Sequence, residues 1–336
     1  MIPASLPPAQ RDDWRRQYRD VITSAHELLA ELDLEHLAAR LAPDAAGFPL
    51  RVTRAFVARM RRGDPNDPLL RQVLPLDEET RPAPGFDLDA VGDLASRDAR
   101  GVLHKYDGRA LLIATGSCAV NCRYCFRRHF PYGEEAAAAD GWRGAVAWLQ
   151  GNPDINEVLL SGGDPWSLST RKLAELTEAL RGIAHLRRLR IHTRLPVVLP
   201  ARVDADLLEW IDALPWPVVV VIHANHAQEL TQDVAEACDA LARHGARLYN
   251  QSVLLRGVND SLEALAALSE RLFELGVQPY YLHQLDRVAG TAHFEVPDSQ
   301  ALALHQDLRA RLPGYLVPRL VREVQGAPSK LPIYDQ

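Results

Sequence analysis

Six short apolar runs recur between residues 110 and 286: "ALLIAT", "INEVLLSGGD", "LRRLRIHTR", "WPVVVVIHAN", "ARLYNQSVLL" and "VQPYYLHQLD". Amphipathic helical patterns alternate with them. Leu173, Leu176 and Leu180 fall at i, i+3 and i+7, and Leu265, Leu268, Leu272 and Leu275 repeat the stripe ahead of Gly276, which suits a helix C-terminus. A strand–helix repeat of this kind dictates parallel pairing with right-handed crossovers, so the predicted class is α/β. With 336 residues, 47% of them hydrophobic, the chain can bury a large core, either as one barrel or as two domains.

In parallel α/β folds, chemistry collects where strands end. The unusual polar residues here obey that rule. Cys118, Cys122 and Cys125 follow the first run; Ser161, Gly162, Gly163 and Asp164 follow the second; His192 and Arg194 end the third; His223, Asn225 and His226 end the fourth. Turn chemistry alone does not require an apolar strand to run into Gly-Gly-Asp or His-x-Asn-His, so one rim of the sheet is expected to line a site.

Three of the four cysteines lie within the eight residues from 118 to 125. Four cysteines in a chain of this size are not a disulfide framework, and a close-set trio points to metal or redox chemistry. Cys238 stays apart, on the apolar stripe of "ELTQDVAEACDALARHG", where it reads as a small core residue. Structural zinc wants four closed ligands. His129 is a conceivable fourth, but a Cys-x3-Cys-x2-Cys loop is unusual for zinc. A four-iron cluster held by three thiolates keeps one iron free for another ligand, which explains why three suffice.

Cys118, Cys122, Tyr124 and Cys125 match the Cys-x3-Cys-x-aromatic-Cys signature of the radical S-adenosylmethionine (SAM) enzymes, and the chain resembles that superfamily. The resemblance implies a partial (β/α)6 TIM-like barrel, with a 4Fe–4S cluster on the three cysteines whose unique iron chelates SAM and drives formation of a 5′-deoxyadenosyl radical. "SGGDP" (Ser161, Gly162, Gly163, Asp164 and Pro165) is similar to the glycine-rich segment that meets the methionine amino group, and glycine lets backbone approach closely. Tyr124 would lie over the adenine side, and Asn225 and Gln251 join the cofactor-binding set. "HKYDGRALLIATGSCAVNCRYCFRRHF", "LLSGGDP", "RIHTRLPVVLPARV", "HANHAQEL", "NQSVLLRGVND", "PYYLHQLDRVAGTAHF" and "GAPSK" occur in an order similar to the lysine 2,3-aminomutase family across residues 100 to 330. The short form, with its opening "WRRQYRDVITSAHELLAEL", is most like the bacterial branch that serves translation elongation factor P and its lysine ligase. Three segments follow: residues 1–100 helical and looped, 101–290 the barrel, and 291–336 carrying the cofactor lysine.

Members of this family carry pyridoxal phosphate (PLP) on a C-terminal lysine, which Lys330 matches. On its own Lys330 reads as a solvated lysine in the small-residue turn "QGAPSKLP", although a desolvated lysine is the group that captures carbonyls. Arg109 and Lys105 match the cations that hold the cofactor phosphate; taken alone they are surface charge ahead of a strand. Arg127 matches the partner of the substrate α-carboxylate. Asp286 matches an acid that receives the lysine ε-ammonium, and Glu323 stands where the second acid of the family is usually Asp. The implied reaction moves the amino group of free L-lysine from Cα to Cβ, with a reductant supplying the electron. A homodimer is allowed for, and the family's zinc-binding cysteines are missing. Rival readings are an aminomutase for another amino acid and a non-catalytic iron–sulfur module that docks on elongation factor P.

Composition excludes other classes. No apolar run approaches the roughly 18 residues of a membrane helix, and "MIPASLPPAQRDDWRRQYRD" lacks the apolar core of a signal peptide, so a cytoplasmic address with no membrane partner is expected. The net charge of −6 argues against nucleic acid, despite the locally basic "WRRQYR" and "RYCFRR". Ahead of the repeat, "ITSAHELLAELDLEHLAARL" predicts helix, and the Pro- and Asp-rich passage after it predicts long loops over a body.

Overall fold

The structure is a computed structural model that describes residues 14–42, 47–135 and 141–333. Residues 1–13 and 43–46 of the N-terminal segment and 334–336 of the C-terminal one therefore lie outside the described residues. In the N-terminal segment, β1 (Val21–Ile22) pairs antiparallel with β2 (Val52–Thr53). The predicted helix over 22–41 is split. Ala25–Glu31 is α-helix and Glu35–Arg40 is 3₁₀, and the chain turns between them at Asp33, whose φ of 59° lies in the left-handed region.

The second sheet has ten strands in sequence order. It opens with the short β3 (Arg97–Ala99) and β4 (Val102–Tyr106), which pairs antiparallel with β5 (Arg109–Thr115). The six apolar runs then give β5, β6 (Glu157–Gly162), β7 (Arg188–Thr193), β8 (Val218–Ile222), β9 (Arg247–Val253) and β10 (Gln278–His283), each parallel to the next. Two strands extend the reading: β11 (Arg319–Arg322), parallel to β10, and the two-residue β12 (Leu331–Pro332), antiparallel to β11. The mostly parallel sheet is that of a partial TIM-like barrel.

Every parallel connection carries a helix: Arg143–Gln150, Thr170–Arg181, Ala205–Asp212, Gln232–Arg243, Leu262–Glu274 and Asp298–Arg311. Their starts are chemically marked, since Ser169, Asp204 and Ser261 each accept a backbone N–H of the first turn. Leu173, Leu176 and Leu180 are fully buried, as is Cys238. Gly276 follows the helix end with φ +69°, a conformation that costs a side chain but not glycine. Trp14, Phe56 and Leu70 of the N-terminal segment share one apolar core with the barrel helices. Among the described residues no helix is long and apolar enough to cross a membrane.

Candidate functional site

Along β7 and β9, fully buried residues alternate with half-buried ones. The helices cover one face of the sheet; the half-buried set, Arg190 and His192 on β7 with Tyr249 and Gln251 on β9, lines the lumen. This lumen is polar where an inert barrel core would be filled with Val and Leu. Burial, with Arg190 and Lys330 nearby, pushes His192 well below an ordinary imidazole; burial with Arg194 and Lys330 pushes His223 down to about 3; burial with Lys330 pushes His283 well below the ordinary range. All three are neutral rings. Gln251 Nε2 lies 3.0 Å from His223 Nε2, while the buried Nε2 atoms of His192 and His283 have no hydrogen-bond partner among the described residues.

Three parts of the chain hold the cysteine loop. Arg51 of the N-terminal segment donates to the Cys118 carbonyl (2.7 Å), Tyr18 and Ser117 pair through their hydroxyls (2.6 Å), and the Gly163 and Asp164 amides donate to the Thr115 and Ser117 carbonyls (2.7 and 2.8 Å). Below the loop, buried Glu79 takes Nε of Arg123 (2.7 Å) and Nη2 of Arg128 (2.8 Å). Burial pushes the Cys118 thiol well up, with Asp164, Cys125 and Cys122 adding to it; burial and then Cys122 push Cys125 up to about 11. Cys118 and Cys125 are thus held as thiols by burial and by their neighbours, and a cationic iron cluster would supply the charge that favours their thiolates. No group of three His, Cys, Asp or Glu side chains among the described residues is arranged for a metal ion. His129 is turned to the Ala289 carbonyl (3.1 Å).

Beside the cysteines a charge network brings together the predicted residues Arg127, Ser161, Lys105, Glu323 and Lys330. Arg127 donates Nε to Asp93 Oδ2 (2.6 Å) and Nη1 to Ser161 Oγ (3.2 Å). Lys105 pairs with Asp93 Oδ1 (2.6 Å) and Glu323 Oε1 (3.0 Å), and Glu323 Oε2 takes Lys330. Asp93, only 1% exposed, thus bridges two cations. Burial works against its carboxylate, but Arg127 and Lys105 outweigh it and hold the acid below its usual range. Glu323 behaves likewise under Lys330 and Lys105. Asp286 is the opposite case: burial and then the charge of Glu323 push it up to about 7, against the pull of Lys330.

Other predicted residues are placed differently. Arg109 starts β5 with its guanidinium 4.6 Å over the Tyr106 ring, and the Tyr106 hydroxyl is raised by burial and by the charge of Glu323. Asp164 is occupied in anchoring the next turn, accepting Thr193 Oγ1 (2.7 Å) and the amides of Arg194 (2.6 Å) and Leu195 (3.2 Å). Asn225 spends its amide on Gln72 (3.0 Å) and the Val253 N–H (2.8 Å). Gly162 and Gly163 bring backbone up to the cysteine loop: a Cβ on Gly163 would stand 2.6 Å from the Ser117 carbonyl. Tyr124 packs edge-on to Phe294 at 6.3 Å between ring centres. Sequence reading missed Asp93, Tyr106 and Arg190, and gave His283 no role. The period-2 recurrence of polar residues in "RLRIHT" and "PYYLH" was a usable signal for two of them; nothing local marks Asp93.

Lys330, with Lys105, Arg109 and the two orphaned imidazole nitrogens, fits a phosphate-bearing carbonyl cofactor: a partly desolvated amine, cations beside it, and buried polar atoms needing partners. No protein-family model matches the chain. The chain is 46% identical over 331 residues to the L-lysine 2,3-aminomutase of Escherichia coli, covering 98% of this chain and 96% of that one. It is 41% identical to the L-lysine 2,3-aminomutase of Haemophilus influenzae, with 96% and 95% covered. Among solved structures, a radical SAM methyltransferase from Sphaerobacter thermophilus aligns over 66% of this chain and 68% of its own, with a TM-score of 0.45 and 17% identity.

Proposed function

The chain belongs to the lysine 2,3-aminomutase family of radical SAM enzymes, and from that premise we propose that it converts free L-lysine to β-lysine with a 4Fe–4S cluster, SAM and PLP. Convergence of Arg127, Asp93, Lys105, Glu323, Lys330 and Asp286 beside the cysteine loop carries this reading. SAM and the cluster, when bound, supply one-electron chemistry able to take an unactivated hydrogen, and PLP supplies a carbonyl that captures an amine.

The chain's own residues have the complementary tasks. Cys118, Cys122 and Cys125 would hold the cluster, Lys330 would anchor PLP, and Lys105 and Arg109 would face its phosphate. Arg127, kept charged by Asp93, meets the substrate carboxylate; Asp286 and Glu323 receive the ε-ammonium. A substrate with a cation at one end and a carboxylate at the other satisfies both ends of such a pocket; glutamate would set a third acid against two. The neutral imidazoles of the lumen add no charge to compete with the substrate ends. The reaction is an isomerisation, so no net oxidant is consumed, and the priming electron comes from a reducing partner. We assign the protein to the cytoplasm and its product to modification of elongation factor P, on the likeness to the short bacterial branch.

Anaerobic incubation with L-lysine, SAM, PLP and dithionite, followed by chromatography, is expected to yield β-lysine. Borohydride reduction is expected to fix the pyridoxyl group on Lys330. Turnover of glutamate at least as fast as lysine would overturn the substrate, and a pyridoxyl group on another lysine would overturn the anchor.

A further inference from the structure

Beneath Cys122 lies a buried polar network that the reaction as described does not use. Arg194, 7% exposed at the end of β7, donates Nη1 to Cys122 Sγ at 2.7 Å, and Nη2 to Gln72 Oε1 (2.7 Å) and Glu229 Oε2 (2.9 Å). Glu229 is fully buried; its Oε1 accepts Gln72 Nε2 (3.0 Å) and the amides of Asn225 (2.9 Å) and His226 (3.1 Å). The Gln72 carbonyl in turn accepts the amide of Arg123, the residue after Cys122 (2.9 Å). Phe56 and Tyr124 close over the guanidinium, 5.2 and 5.7 Å from their ring centres. The guanidinium is held by its bonds to Gln72 and Glu229, and its backbone amide is pinned by Asp164 (2.6 Å).

A fixed guanidinium on a ligand sulfur, away from bulk water, stabilises the negative charge that arrives with an electron. Hydrogen bonds to ligand sulfurs are among the means by which a protein tunes a cluster. Resting on the cluster assignment above, we infer that Arg194 is a positioning residue that draws the reduction potential of the cluster upward, and that Glu229 limits the effect as its counter-charge. The step is a one-electron transfer to the cluster in which no bond is made or broken; dithionite is the reductant in the test.

The experiment is an anaerobic redox titration of reconstituted protein, followed by the visible and electron paramagnetic resonance signals of the cluster. Arg194→Met is expected to lower the reduced-to-oxidised ratio at fixed potential about tenfold, a downward shift of about 59 mV for a one-electron couple. Arg194→Lys, which keeps the charge but not the fork, should recover part of it. Glu229→Gln removes the counter-charge and should move the potential upward. A guanidinium that only braced the loop would change iron content or melting temperature while leaving the potential of the remaining clusters alone. The inference falls if Arg194→Met keeps about four irons at an unmoved potential, or if the Arg194→Met and Glu229→Gln variants shift in the same direction. Should Arg194→Met lose its iron, Glu229→Gln decides: an upward shift supports the inference, and an unchanged or lower potential overturns it. Wild-type protein that assembles no cluster would overturn the functional reading itself, and this inference with it.

Discussion

Asp286 and Glu323 are two acids competing to be ionised in one buried place, and their surroundings separate them. Glu323 has Lys330 and Lys105 within bonding distance and keeps its charge; Asp286 has only their longer-range pull and is pushed up to about 7. An ammonium needs an ionised partner, so kcat/KM for lysine is expected to rise with pH through about 7, since that ratio reports groups of the free enzyme. Glu323→Gln removes the like charge and should move this limb toward acid while raising KM; a limb that stays in place would separate Asp286 from the substrate. The folded-state pKa of Asp286 lies above its unfolded value of about 3.9, so this group weakens the fold progressively as pH climbs from about 4 to 7. Asp93 shows where residue-level reading stops. "FDLDAVGD" contains three acids, and which one turns inward is decided by Arg127 and Lys105, 34 and 12 positions further along. The cysteine trio stands out in the sequence because three thiols fall within eight positions, whereas Lys330 is singled out only by the family resemblance, its own turn reading as that of a solvated lysine.

At the scale of elements, the glycine-rich turn after β6 and the cysteine loop after β5 form one unit. Two backbone bonds join them, and Gly163 lies so close that a Cβ would meet backbone atoms of Gly116 and Ser117 at 2.8 and 2.6 Å. Backbone cannot rotate out of the way as a side chain can, so Gly163→Ala should displace the loop at a cost of about 1–3 kcal/mol. The expected outcome is protein with near-wild-type circular dichroism that retains less than half its iron after desalting; full retention would refute the close-approach account. The six apolar runs were legible as strands because each carries Val, Ile or Leu between turn residues. The strands β3, β4, β11 and β12 were not, being short, at the ends of the sheet, and in part polar ("RDA", "VLHKY").

Over the whole molecule, the N-terminal segment shares an apolar core with much of the barrel, and Glu79 ties that segment to Arg123 and Arg128 on either side of Cys125. Removing one partner of a buried ion pair costs about 3–5 kcal/mol. Glu79→Ala is therefore expected to lower the melting midpoint by about 5–10 °C, with loss of helix signal and release of iron coinciding; iron release well below the melt would mean that the loop unfolds by itself. Class and repeat could be read because a strand–helix rhythm has few solutions, whereas the grip of the N-terminal segment on the cysteine loop depends on contacts more than forty residues apart. The position of Lys330 in the chain has a further consequence, one of manufacture. Every other residue of the site precedes it, and a ribosome delivers the chain N-terminus first. The three thiols therefore leave the ribosome long before the lysine, and the cysteine side of the site is expected to be available for loading ahead of the lysine side.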